Sequence, residues 1–163
     1  LNIATNQPKK AAKKEMAILI DNQQGNHPIE TRKIEVKAQA ILNALDCREG
    51  ELSILIVDDP GITKMNQAYL DHSGPTNVIS FSMREGEFGD INPHLLGDVI
   101  ISADTCAREA QQAGISMENR FDQLLIHGIL HIFGYDHIHS EVEARIMETK
   151  SDELAALVDA LKI

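Results

Sequence analysis

The sequence predicts a single α/β or α+β domain in which four short strands alternate with helices. Three observations lead there. A chain of 163 residues, 43% apolar and 25% charged, suits one globular domain with a real core. Its apolar residues recur in two ways, as short strand-like runs and as longer stretches at helical spacing. The breaks fall at glycine, proline and capping residues, with no internal repeat, so each element closes a layer.

Residues 1–15 are polar and lysine-rich (Lys9, Lys10, Lys13, Lys14) and read as a mobile tail, with Met16 as the expected start of a domain over 16–163. Met16 to Asp21 reads as the first strand. From Ile29 to Asp46 the residues Ile34, Ala38, Ile41, Leu42 and Leu45 recur at helical spacing, and Gly50 lies just beyond. Glu51 to Val57 alternates into an apolar run, a second strand. Asp59-Pro60 reads as a helix start, a capping carboxylate followed by proline at the first helical position, with the helix running to about Leu70. Gly74-Pro75 breaks the chain. Val78 to Met83 makes a third strand, Arg84 to Pro93 a polar loop, and Leu95 to Ser102 a fourth strand. A helix over about Ala103–Ala113 stops at Gly114. Ser116 caps a helix from Met117 to Phe133, with Gly134 in the left-handed terminating position. Ser140 and Glu143 have capping-box spacing for a last helix to about Lys162.

Nothing approaches the roughly eighteen consecutive apolar residues of a membrane span, and no signal-peptide pattern is present. Cys47 and Cys106 are too few and too far apart for a disulfide framework, and indicate ordinary thiols in a reducing cytoplasm. The formal charge of −10 opposes general nucleic-acid binding, which relies on basic stripes that release counterions. Any such contact must be local, drawn from Arg32, Lys33, Lys37, Lys64, Arg84, Arg108 and Arg120.

The chemistry concentrates in Leu124-Leu-Ile-His127-Gly-Ile-Leu-His131-Ile-Phe-Gly134-Tyr-Asp-His137. Histidines at i and i+4 lie one above the other on a helix face, so both imidazoles can reach one ion. Gly134 ends the helix sharply, letting the chain double back with His137 as a third ligand. Three neutral nitrogens leave a tetrahedral position for water, the arrangement of catalytic zinc, one ion per chain. Such a water can have its pKa lowered to about 7. A lone histidine in an apolar helix is usually a satisfied core residue. Two within Leu124, Leu125, Ile126, Ile129, Leu130, Ile132 and Phe133 would be costly to bury unpaired, which favours the metal. Gly128 costs a helix about 1 kcal/mol relative to alanine and so implies close backbone approach. It also stands where an HExxH peptidase carries its glutamate base, although the histidine spacing is that of the metzincin peptidases. Met147 could lie beneath the metal as in a Met-turn; a core place in the last helix is the plainer reading.

The segment His127-Gly-Ile-Leu-His131-Ile-Phe-Gly-Tyr-Asp-His137 resembles the signature of the YbeY family, bacterial metal-dependent endoribonucleases of rRNA maturation. Pro75-Thr-Asn-Val-Ile-Ser-Phe81 and Leu95-Leu-Gly-Asp-Val-Ile-Ile-Ser102 match the family in order and spacing, and the resemblance runs from Met16 to the C-terminus. It implies an α+β fold, a small mixed four-stranded sheet flanked by helices with a metal cleft. It further implies metal ligands at His127, His131 and His137, and polar cleft positions at Thr76, Ser80 and Asp98, for which turn and strand-end duties are the alternative. The implied substrate is single-stranded RNA of rRNA precursors and the implied partners are ribosomal particles; neither membrane nor DNA is expected. Two positions depart from the pattern. Leu70 stands where an arginine usually follows the tyrosine matching Tyr69; such an arginine suits phosphate or transition-state charge, so its loss implies a slow nuclease. Ser82 replaces a proline, which alters the loop path.

The leading expectation is therefore hydrolysis of an RNA phosphodiester by water bound to zinc, with no side-chain base assigned. A zinc peptidase is the enzyme alternative, suggested by spacing and weakened by Gly128. A non-catalytic ribosome-assembly factor with a structural metal is the other, favoured by Leu70 and the acidic balance.

Overall fold

The structure, a computed structural model, describes residues 17–86 and 89–163. The expected tail over 1–15 and the start at Met16 lie outside the described residues. In chain order the elements are β1 (Ile18–Asn22), α1 (Thr31–Ala44), β2 (Glu51–Val57), α2 (Asp59–Leu70), β3 (Val78–Ser82), β4 (Leu95–Ser102), α3 (Ala103–Ala113), α4 (Met117–Ile132) and α5 (Glu141–Asp159). The sheet has the order β1-β2-β4-β3, with β1, β2 and β4 parallel and β3 antiparallel to β4. The fold is thus α+β with a mixed four-stranded sheet, as expected.

Strand alternation sorts the sheet into two unequal faces. Ile54 and Ile56 of β2, Val99 and Ile101 of β4 and Val78 of β3 pack with Ile41 and Leu42 of α1, Leu125, Ile129 and Leu130 of α4, and Leu154 of α5 in the main core. Leu55, Val57, Ile79, Phe81 and Ile100 point the other way and pack with Ile62 and Met65 of α2. A bulge in β4 shifts the pairing from Glu51↔Leu95 to Leu52↔Gly97, which lets both Leu96 and Val99 enter the main core. The bulge needs glycine: Gly97 has φ 141°, and a Cβ there would overlap the Phe81 carbonyl oxygen.

Helix starts follow side-chain caps. Ser102, Ser116 and Ser140 accept from the amides of Thr105, Asn119 and Glu143, which satisfies donors that a helix end leaves orphaned. The start of α2 falls one residue earlier than expected. Asp58, extended at φ −87° and ψ 177°, is the cap and accepts from Gly61 N at 2.8 Å, so Asp59 is already helical. The Asp59 carboxylate is thereby free to accept from Ser102 Oγ (2.7 Å), Thr105 Oγ1 (2.6 Å) and Arg108 (2.7 Å), tying α2 to α3. The last helix ends at Asp159, short of the expected Lys162. Met147 is 4% exposed in the main core, the plainer of its two readings. Cys106 is a buried free thiol that burial pushes up to about 12, hence unreactive, and Cys47 is half-buried. No helix among the described residues is long and apolar enough to cross a membrane.

Candidate metal centre

Helix α4 is wedged between β3 and β4, α3 and α5. From Phe121 to Ile132 every residue but Gln123, His127 and His131 is buried. Seven residues are nearly two full helical turns, so Arg120 lies on the same face as His127, and Gln123 and His131 flank them at i−4 and i+4. The accessible strip of this helix is therefore polar from end to end: Arg120, Gln123, His127, His131. That arrangement explains how two imidazoles can sit in a largely buried helix without being sealed in its core.

His127 Nε2 and His131 Nε2 lie 2.9 Å apart. The ring of His137 is 5.5 Å from that of His127 and 5.4 Å from that of His131, centroid to centroid. One nitrogen from each of the three falls within 4.8 Å of the others, so the trio could hold a metal ion. Two nitrogens bound tetrahedrally at about 2.0–2.1 Å lie roughly 3.3 Å apart, close to the His127–His131 separation, so these residues fit a small divalent ion.

The third histidine is delivered by the end of α4. Gly134, at φ 86°, closes the helix: its amide donates to His131 O and the Tyr135 amide to Leu130 O, both at 3.0 Å. Asp136 then fixes the turn. Its Oδ1 accepts from Ile138 N at 2.9 Å and its Oδ2 faces His139 at 3.0 Å. The Ile138 and His137 amides hold this carboxyl below its ordinary range, and it positions the His137 backbone. Sequence reasoning gave Asp136 no role; the available signal was a short acidic residue directly before the third histidine, suited to bonding the amides that follow it.

Burial pushes His127 down to about 4, with the neighbouring His131, His137 and Arg120 acting in the same direction. His131 is lowered too, by burial first and then by His137. Both rings are thus neutral at neutral pH and keep a nitrogen lone pair for coordination.

Gly128 has the close approach its sequence position implied. A Cβ there would meet Val99 Cγ1 at 2.7 Å, Ser80 Oγ at 3.1 Å and Val78 Cγ2 at 3.2 Å. Two serines of β3 bond the same helix: Ser80 Oγ donates to Gly128 O at 2.8 Å and Ser82 Oγ to Ile132 O at 3.1 Å. A two-residue strand step of about 6.8 Å nearly matches a four-residue helical step of about 6 Å, so both contacts form at once. Ser80 accordingly lies under α4 with its hydroxyl committed to the helix. Ser82 satisfies a carbonyl of the last turn, a bond that a proline at this position could not make.

The other expected cleft residues are Thr76 and Asp98. Thr76 is half-buried in the connection ahead of β3. Asp98 pairs with Phe81 across the β3–β4 ladder and so shares the α2 face, opposite the Val99 side chain that meets α4. Of the candidate cations, Lys37 is sequestered between Asp122 and Glu118 at 2.8–3.0 Å, while Arg32, Lys33 and Arg108 pair with Glu35, Glu30 and Asp59. Arg84 lies over the Phe133 ring at 4.6 Å, and Lys64 is exposed on α2. Arg120 pairs with Glu109 at 2.7 Å, on the α4 face that carries His127.

The chain matches the family described as Endoribonuclease YbeY over residues 19–159. The Endoribonuclease YbeY of Geobacter sulfurreducens is 54% identical over 145 residues, covering 88% of this chain and 97% of the relative. That of Syntrophus aciditrophicus is 47% identical (88% and 90% covered), and that of Aquifex aeolicus 42% (79% and 85%). The solution structure of TM1509 from Thermotoga maritima superposes with a TM-score of 0.61 at 21% identity, over 86% of this chain and 88% of that one, a likeness of fold. The chain belongs to the YbeY family of endoribonucleases.

Proposed function

We propose that this protein is a zinc-dependent endoribonuclease for single-stranded RNA, acting in rRNA processing with His127, His131 and His137 holding one ion. The observation that carries the reading is the convergence of three imidazoles, two held neutral by burial, on the accessible strip of an otherwise buried helix. Relatives named for endoribonuclease activity at up to 54% identity support it. A divalent ion in this trio supplies Lewis acidity, able to acidify water and to polarise a phosphoryl oxygen. The chain's own contribution is placement. Gly134 and Asp136 bring His137 back to the helix, and Ser80, Ser82 and Gly128 lock α4 against β3 so that the imidazoles keep their spacing. On this reading the partners are rRNA precursors and ribosomal particles in the cytoplasm.

The peptidase alternative is weakened by space as well as by sequence. A glutamate at position 128 would begin with a Cβ 2.7 Å from Val99 Cγ1, so the base of an HExxH site has no room beside the strand. The assembly-factor reading keeps one favouring observation: Leu70 is 42% exposed at the end of α2 and puts no cation there.

The test is cleavage of labelled single-stranded RNA, with casein in parallel, by zinc-loaded protein and by His131→Ala. RNA should be cut only by the parent, and casein by neither. RNA cleavage by His131→Ala at the parental rate would remove the metal from the mechanism. Ribosomal association without any cleavage would favour the assembly factor.

A further inference from the structure

The accessible strip of α4 continues past the histidines to a cation. Arg120 sits about 10.5 Å along the helix axis from His127, on the same face, with Gln123 between them. Arg84 is held over the Phe133 ring at 4.6 Å, at the C-terminal end of α4. We propose that Arg120 binds a backbone phosphate of the RNA strand on the α4 face that carries the histidines, a local cationic contact on a chain of net charge −10. This rests on the endoribonuclease reading and adds a substrate-binding residue to it.

The guanidinium is positioned rather than loose. Arg120 Nε donates to Glu109 Oε2 at 2.9 Å, its NH2 group lies 2.7 Å from the same oxygen, and NH1 donates to Gln123 Oε1 at 2.7 Å. Glu109 is itself held by Asn77 Nδ2 at 3.1 Å, in the connection that leads into β3. These bonds use only part of the arginine's donor fork, and a fork held on one side presents its remaining N–H groups in a plane suited to phosphate oxygens. Exposure separates this pair from a buried strut. The Arg120 and Glu109 side chains are 26% and 30% exposed, whereas Lys37 and Asp122 in the ion pair across α1 and α4 are 7% and 11% exposed. An anion can reach the former and not the latter.

Glu109 also neutralises Arg120 in the free protein, which makes the proposal testable in both directions. Binding of a labelled, cleavage-resistant single-stranded RNA to the zinc-loaded full chain is measured by anisotropy across a salt series. Arg120→Gln should weaken binding about fivefold and reduce the slope of log affinity against log salt by about 0.7, one phosphate contact on a single strand. Glu109→Gln, which keeps a hydrogen-bonding partner while removing the negative charge, should tighten binding about two- to threefold. Arg120→Lys should fall between parent and Arg120→Gln, because charge survives but the fork does not. A strut joining α3 to α4 predicts otherwise: a lower melting temperature in both glutamine variants, with affinity and slope unchanged. That result overturns the proposal. Cleavage separates it from the reading it rests on. Parent that binds RNA through Arg120 but cuts nothing refutes the endoribonuclease and leaves the phosphate site standing. Parent that cuts RNA while Arg120→Gln matches it in affinity, salt slope and KM refutes the phosphate site alone. Parent that neither binds nor cuts refutes both.

Discussion

Replacing Gly128 with alanine sets two physical effects against each other. Intrinsic propensity favours alanine in a helix interior by about 1 kcal/mol. Packing opposes it, since the new Cβ would lie 2.7 Å from Val99 Cγ1. Val99 is fully buried and β-branched, so it cannot swing aside as a long flexible side chain would. Ser80 Oγ, at 3.1 Å from the same Cβ, can rotate only by giving up its bond to Gly128 O. Overpacking of this kind costs about 1–3 kcal/mol, and the lost hydrogen bond about 0.5–1.5 kcal/mol. The balance is a net destabilisation of about 1–3 kcal/mol, which for a domain of this size lowers the melting temperature by roughly 3–8 °C. Calorimetry on the metal-free protein measures it directly. A rise of about 2–4 °C, the propensity effect alone, would refute the argument and mean that α4 has slack against β3. The double variant Gly128→Ala/Val99→Ala isolates the cause: with Cγ1 removed, the two changes should couple favourably by about 1–2 kcal/mol, whereas additivity within about 0.5 kcal/mol would show that Val99 is not the obstacle.

Four further outcomes are expected. Purified protein should take up about one zinc per chain, and zinc at a hundredfold excess over Kd should stabilise the parent by about 2.7 kcal/mol and His131→Ala far less, read by elemental analysis and melting curves. The metal-free protein should lose stability as pH falls: with His127 held at about 4 against an unfolded value of 6.5, the unfolded chain binds more protons between those limits. Stability is then full above about pH 6.5 and declines towards pH 4, and His127→Gln should flatten that decline. Leu70→Arg places a charge on an exposed helix end, so its melting temperature should stay within about 2 °C of the parent. Single-turnover RNA cleavage should rise about tenfold, and an unchanged rate would show that this position does not reach the scissile phosphate. Lys37→Met should cost about 3–5 kcal/mol in chemical denaturation by stranding Asp122, whereas Lys37→Met/Asp122→Leu should recover most of the loss; a mild single variant would mean that water reaches the pair.

Local chemistry is what the sequence by itself determined. Serines and aspartates capable of capping, apolar periods and terminating glycines act within a few residues, so α3, β2 and β4 begin and end where the sequence places them. The i,i+4 histidines share a helix face whatever that helix packs against, and the glycine at position 134 ends it wherever it lies. At α2 the local pattern is ambiguous by one residue, because Asp58 and Asp59 can each cap a helix. The choice is made by Ser102, Thr105 and Arg108, distant in sequence, which claim the Asp59 carboxylate.

Tertiary structure decided everything that depends on which face meets which. The bulge at Gly97 sends Leu96 into the main core and Asp98 to the α2 face, and no alternation count along β4 could supply that register. Seven cations looked alike as text. In the folded chain Lys37 is sealed between two carboxylates, whereas Arg120 stands in line with the imidazoles. That difference arises from helix docking, since burial on three sides is what turns four polar residues of α4 into a single accessible strip. Ser80 and Ser82 hold α4 at that depth through contacts 48 and 50 residues apart in sequence, too distant for any local pattern to specify.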